Sequence, residues 1–309
     1  MSDSSSTLSG VFGAPPPELA EIPPQATQLS PLAPGSHALE DIAPGSLNSM
    51  AMAAPPGTLE RRYALALSLR ALRAGAPFTA MAPKESGGGR IFNELEMFGC
   101  RVESSSYRHH RICQTTCPAT RDAEAEIDAA IAAGGPCLVD EMGLWSQPGI
   151  FSWNRIDAGT ALLLSVLPSF TGHGADLGCG IGMIAQAALA STHVTQMDLV
   201  DVDRRAINAA RRNVTDARAT FHWADIRKPT DLKDLDFVVM NPPFHDGGVE
   251  DRALGQAFVH KSHQMLRGSG TAWLVANRHL PYESALSTAF SQMTLRAERD
   301  GFKVYEARK

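Results

Sequence analysis

The stretch that most constrains this chain is Ala175-Asp176-Leu177-Gly178-Cys179-Gly180-Ile181-Gly182, an apolar approach ending in a carboxylate and three glycines at alternate positions. It reads as a strand turning into a helix, because glycine at Gly178, Gly180 and Gly182 permits positive φ and removes every Cβ. A ligand can then lie directly on the backbone at the helix N-terminus. Taken alone the glycines fit a tight turn equally well, and the acids and strands spaced at fixed intervals beyond them decide the matter.

Val194 to Val202 forms a β-rich run holding Asp201, and Ala219 to Asp225 forms a second that ends in a carboxylate. In an open parallel sheet, ligands bind outside the carboxyl ends of the strands, where these acids gather. Asp201 follows Asp176 by 25 residues, near the offset at which an acid meets ribose hydroxyls in nucleotide-binding βαβ units. A further strand, Asp236-Phe237-Val238-Val239-Met240, runs into Asn241-Pro242-Pro243-Phe244, the most specific signal in the chain.

These motifs together resemble a class I S-adenosylmethionine-dependent N-methyltransferase, over roughly Pro148 to Lys309. Asn-Pro-Pro-Phe-His-Asp-Gly at 241–247, Pro-Gly-Ile-Phe-Ser at 148–152, Val-Ala-Asn-Arg-His-Leu-Pro-Tyr at 275–282 and Gly-Phe-Lys-Val-Tyr at 301–305 narrow the resemblance. They are similar to the bacterial ribosomal RNA guanine 2-amino methyltransferases.

The resemblance implies an α/β, Rossmann-like seven-stranded methyltransferase fold, with a smaller degenerate methyltransferase-like domain before it. It implies S-adenosyl-L-methionine (AdoMet) as cofactor, with Gly178, Gly180 and Gly182 facing its methionine moiety and Asp225 accepting the adenine amino group. Asp201 would take the ribose hydroxyls, and Asp176 would fix the loop and meet the cofactor's ammonium.

At Asn241-Pro242-Pro243-Phe244, an amino nitrogen whose lone pair is delocalised into a ring has to be made nucleophilic. The Asn241 side-chain oxygen and the Pro242 carbonyl can each accept one amino hydrogen and aim the lone pair at the methyl carbon. The prolines stiffen that carbonyl, and Phe244 can stack on the base. Adenine 6-amino methylation and glutamine methylation use similar loops, and a non-catalytic AdoMet-binding RNA-interaction protein is a third reading. Phe244 and His245-Asp246-Gly247 favour guanine.

A chain of 309 residues with 44% hydrophobic residues fits two domains at about 150 residues each. The reading is a Pro/Ser/Ala-rich, partly disordered segment at 1–45, a degenerate domain at 46–140 and a catalytic domain at 141–309, with residues 1–10 lacking structure. No apolar run approaches the ~20 residues of a membrane span, and the N-terminus lacks the h-region of a secretory signal. A cytoplasmic protein with ribosomal RNA or a ribosomal subunit as partner, monomeric and without a metal site, is the expectation. Five scattered cysteines fit reduced thiols.

Ser49 to Gly57, a helix to about Leu72 and a strand Pro77 to Met81 repeat the order of Phe237 to Phe244, a helix over 251–266 and a strand Thr271 to Ala276. This suggests a duplicated half-domain whose first copy lacks the Asn, the aromatic residue and the glycine loop. Arg108, His109, His110 and Arg111 cluster nearby. They fit phosphate contact or a protected strand edge equally, since a net charge of −5 leaves room for basic patches on the scale of the ~8 Å screening length. Phe151 and Trp153, before a helix from about Asp157 to Leu167, are read as core aromatics or as groups touching the cofactor.

Overall fold

Regular alternation of β-rich runs with amphipathic helices forces parallel pairing, because each helical crossover returns the chain to the same end of the sheet. The computed structural model, which describes residues 8–120, 122–243, 245–246, 249–250, 252–279 and 282–309, follows this rule twice. The chain divides into two units, one ending at Gly135 and one beginning at Pro136.

The first unit runs β1 (Ser9–Phe12), β2 (Thr27–Gln28), β3 (Ser49–Ala53), α1 (Thr58–Ala71), β4 (Pro77–Pro83), α2 (Gly88–Met97), β5 (Glu103–Tyr107), β6 (His110–Thr116) and α3 (Glu124–Gly134). Its sheet has the order β2-β1-β3-β4-β6-β5. Of the ten residues expected to lack structure, Ser9 and Gly10 lie in β1, in register with Ser49 and Met50, while residues 1–7 lie outside the described ones. The Pro-rich stretch thus supplies two strands of this sheet, and Leu29 and Leu39 are buried in its core beside Met52, Leu65 and Phe78.

The second unit begins with the hairpin β7 (Cys137–Val139) and β8 (Leu144–Ser146), then α4 (Ala158–Leu164), β9 (Gly172–Leu177), α5 (Met183–Leu189), β10 (Val194–Asp201), α6 (Arg204–Asn213), β11 (Ala219–Trp223) and β12 (Leu235–Met240). After a short antiparallel pair, β13 (His245–Asp246) and β14 (Val249–Glu250), come α7 (Arg252–Met265), β15 (Leu266–Asn277), α8 (Tyr282–Ala289), β16 (Gln292–Arg299) and β17 (Phe302–Arg308). The sheet has seven strands in the order β11-β10-β9-β12-β15-β17-β16. β9, β10, β11, β12 and β15 are parallel, and β17 enters antiparallel between β15 and β16.

Helices cover both faces because the strands are apolar on both. Val238, Met240 and Leu274 pack with Phe258, Val259 and Leu286 on one face. Met197, Leu199 and Val239 pack with Leu163, Ile184 and Ile207 on the other. Burying each such side chain contributes about 1.5–3 kcal/mol. α6 shows the logic locally: Asp203 caps it by accepting the Arg205 amide at 2.9 Å. Ala206, Ile207, Ala209 and Ala210 are buried, while Asn208, Arg211 and Arg212 are exposed.

The first unit repeats this plan. Its strands β1, β3, β4, β6 and β5 adjoin one another in the same order and directions as β9, β12, β15, β17 and β16. Gly13, directly after β1, has φ +72°, as Gly178 directly after β9 has +75°. One glycine of the loop therefore has a counterpart, but Ala14-Pro15-Pro16-Pro17 follows it and β1 carries no acid.

Candidate active site

The glycine loop leaves β9 at Leu177. Gly178, Gly180 and Gly182 have φ of +75°, +52° and +91°, a region that costs an L-residue about 1–2 kcal/mol. A Cβ at Gly182 would come within 2.8 Å of Val214, whereas one at Gly180 would meet nothing within 4 Å. The loop is therefore packed at Gly182 and open at Gly180. The Gly178 and Cys179 amides donate to the Val200 carbonyl at 2.8 and 3.1 Å, and the Gly180 amide donates to Asp201 Oδ2 at 2.9 Å.

Asp176 is fully buried, and among the described residues neither of its oxygens has a donor in hydrogen-bond geometry. Burial, reinforced by the charge of Asp201, pushes its pKa up to about 8, against a smaller opposing pull from the Ala185 amide in the first turn of α5. Asp201 is pushed up to about 6 by burial, with the Asp203 and Gly180 amides opposing the rise. Two buried carboxyl groups with raised pKa values thus stand beside an open glycine backbone. Asp225 is differently placed. Arg227 holds both of its oxygens through the side chain, at 2.9–3.1 Å, and donates its amide to Oδ1, which lowers the carboxyl pKa.

Asn241 stands at the end of β12, next to β9 in the sheet, so its loop lies beside the glycine loop. A Cβ on Gly178 would be 4.0 Å from the Asn241 carbonyl. Asn241 Nδ2 donates to Asp157 Oδ2 at 3.1 Å and Thr160 Oγ1 at 2.9 Å. Its Oδ1 is buried and has no donor among the described residues. Pro242 is buried and Pro243 exposed. Phe244, expected to stack on a base, lies outside the described residues.

Asp157 and Thr160 are site residues that the sequence does not announce. Asp157 marks itself in the sequence only as a helix cap, and no local pattern reveals a contact to Asn241 across 84 positions. Trp153 packs with Ile150, Ile181, Ala206 and Ala209, at the flank of the glycine loop. Phe151 is 69% exposed, so its reading as a core aromatic is corrected. The basic cluster lies at the tip of the β5–β6 hairpin, where Arg108 and His109 have φ of +43° and +65°. Arg108 pairs with Glu18 at 3.0 Å, and Arg111 donates to Ser104 at 3.1 Å. All five cysteines are free, and among the described residues no group of His, Cys, Asp or Glu is placed to hold a metal. No described helix is long and apolar enough to cross a membrane.

A seven-stranded sheet with its penultimate strand antiparallel, a glycine loop after β9, an acid at the end of β10 on one side and Asn-Pro-Pro after β12 on the other define a Rossmann-like methyltransferase fold. Comparison with known proteins agrees: residues 141–306, more than half of the chain, match the methyltransferase small domain. A ribosomal RNA small subunit methyltransferase C of Acinetobacter baylyi is 30% identical over 257 residues, covering 80% of this chain and 74% of the relative. The chain belongs to the methyltransferase small domain family and, through that relative, to the ribosomal RNA small subunit methyltransferase C family.

The protein of the same name from Shewanella sediminis is 37% identical over 166 residues, 53% of this chain and 48% of the relative. The chain spans about half the length of the Shewanella relatives it matches. A T. thermophilus 16S rRNA N2 methyltransferase solved with AdoMet and guanosine has the same fold, with a TM-score of 0.72 over 88% of this chain and 76% of that one, at 22% identity.

Proposed function

We propose that this chain is an AdoMet-dependent N-methyltransferase that methylates the exocyclic 2-amino group of a guanosine in ribosomal RNA. The observation that carries the reading is the buried Asn241 Oδ1, an acceptor without a donor among the described residues, beside an open glycine loop. A buried acceptor left unmade costs about 1–3 kcal/mol, and an incoming amino N–H removes that cost. The names of the relatives support guanine over adenine or glutamine as acceptor.

The residues fit the cofactor. The backbone at Gly180 is open where a Cβ would stand, Asp176 offers an orphan carboxyl to an ammonium, and Asp201 has acceptor capacity beyond its two amides for ribose hydroxyls. Asp225 would accept the adenine amino group in exchange for one Arg227 donor. Bound there, AdoMet supplies a methyl group on a sulfonium sulfur, an already activated electrophile. The protein's part is then positional. Asn241 Oδ1 and the Pro242 carbonyl each accept one amino hydrogen, which turns the nitrogen lone pair out of conjugation. The proton leaves to water after transfer, and a base within a duplex must first flip out.

The first unit serves in this reading as a lobe that positions RNA and holds no cofactor, with Arg108 and Arg111 as phosphate contacts. Mass spectrometry of ribosomal RNA nucleosides from cells with and without the gene tests the assignment. Loss of one 2-methylguanosine is expected, and an unchanged nucleoside profile overturns it.

A further inference from the structure

An asparagine amide has two ends of nearly equal shape and opposite hydrogen-bonding sense. Which end faces the acceptor decides whether the site reads a donor or another acceptor. At Asn241 the surroundings decide it. Asp157 Oδ2 lies 3.1 Å and Thr160 Oγ1 2.9 Å from Nδ2. The Thr160 hydroxyl can serve either sense. The Asp157 carboxylate cannot: it offers lone pairs only, and flipping the amide would set oxygen against oxygen.

Asp157 is itself fixed, since the same Oδ2 accepts the Thr160 amide at 2.9 Å and caps α4. Two oxygens thus hold Nδ2 of Asn241, and its Oδ1 is buried and without a donor among the described residues.

We infer that Asp157 and Thr160 are positioning residues that lock Asn241 in one amide orientation, so that the site accepts an amino group and rejects a carbonyl or ring-nitrogen acceptor in its place. This clamp deepens the N-methyltransferase reading and rests on it for the nature of the acceptor. It is a specificity filter made by residues that never touch the substrate. Guanine presents N–H at this position; hypoxanthine, lacking the amino group, would leave Oδ1 unanswered.

The test uses the full chain and four variants. Thr160→Val removes the hydroxyl at constant shape. Asp157→Ser keeps a helix-capping oxygen on a side chain too short to reach Asn241. Thr160→Ser and Asp157→Asn retain the accepting oxygens. Hydrogen exchange of the Asn241 side-chain NH2, followed by NMR on protein labelled at asparagine nitrogen and free of substrate, is read beside methyl transfer to small-subunit RNA.

Thr160→Val and Asp157→Ser should speed the side-chain exchange and lower kcat by about tenfold or more, with AdoMet affinity within about twofold of wild type. Thr160→Ser and Asp157→Asn should recover most of that loss. Unchanged kcat in the first pair, or a parallel loss of AdoMet affinity, overturns the clamp and leaves the proposed activity standing. If the wild-type chain moves no methyl group to a guanine amino nitrogen, the activity falls instead. The exchange data then decide the clamp alone: slow exchange in wild type that Thr160→Val accelerates supports it, and fast exchange in wild type overturns it.

Discussion

The two units carry related sheets and opposite treatments of the same corner. In the second, β12 runs into Asn241-Pro242-Pro243 and leaves a buried acceptor without a donor among the described residues. In the first, β3 runs into Ala54-Pro55-Pro56, and the carbonyls of Pro55 and Pro56 accept from Arg61 Nη1 at 3.2 and 2.7 Å. Arg61 is fully buried, and Glu94 holds the rest of its guanidinium at 2.6 and 2.9 Å. Where one unit keeps polar groups waiting, the other answers them from its own chain. A retained fold does not retain a site: the site is the set of groups that packing has left unanswered, at a cost in stability.

The comparison breaks most visibly at Arg61. Arg61→Ala leaves the buried Glu94 with only the half-exposed Arg62, 3.3 Å from its Oε1, as a charged partner, and should cost about 3–5 kcal/mol, read from chemical denaturation as an early loss of the first unit. A loss below about 1 kcal/mol would make the internal pairing incidental. Asn241→Ala probes the open corner. Turnover should fall by about a hundredfold or more, near 2.7 kcal/mol, with AdoMet affinity almost intact, because the contact acts on the reacting nitrogen. Equal loss of affinity in calorimetry would make Asn241 a structural residue.

Asp176 sharpens the contrast through pH. Its folded pKa, about 8, lies above the ordinary carboxylate value, so the folded state binds more protons and this group's contribution to stability falls as pH rises from about 4 to about 8. Asp176→Asn should remove that slope and stabilise the free protein by about 1–3 kcal/mol at neutral pH, while weakening AdoMet. Wild type should release a proton on binding AdoMet at pH 7, detectable by calorimetry in buffers of different ionisation enthalpy; absence of release would separate Asp176 from the ligand's ammonium. The smallest effect belongs to the hairpin tip. Arg108→Ala with Arg111→Ala should weaken RNA binding and flatten its salt slope by up to about two units, leaving AdoMet affinity untouched. An unchanged slope would assign the cluster to edge protection.

Much of the second unit is legible in the sequence because its signals are local. The glycine loop, the acid at the end of β10, the helix Arg204–Asn213 and the Asp300-Gly301 turn between β16 and β17 each follow from neighbouring residues. β1 is not legible in this way. Four residues that include a glycine, set in a Pro-rich stretch, become a strand only by pairing with β3, 40 positions later. Arg61 is likewise buried through a partner far along the chain, Glu94, 33 residues away. The hold on Asn241 by Asp157 is of the same kind. What escaped the sequence was long-range polar pairing, which leaves no periodicity behind.

The insertion of β17 between β15 and β16 also sets an order of assembly. A ribosome delivers β16 before the strand that joins it to the sheet, so β16 has no partner until the Asp300-Gly301 turn lets Phe302–Arg308 fold back along it. The hairpin can form locally within microseconds, but it docks on β15 through its later arm. The β15 edge therefore stays open until β17 arrives. Deleting Phe302–Arg308 would remove an interior strand and release β16 with it, so this segment is a keystone of the sheet.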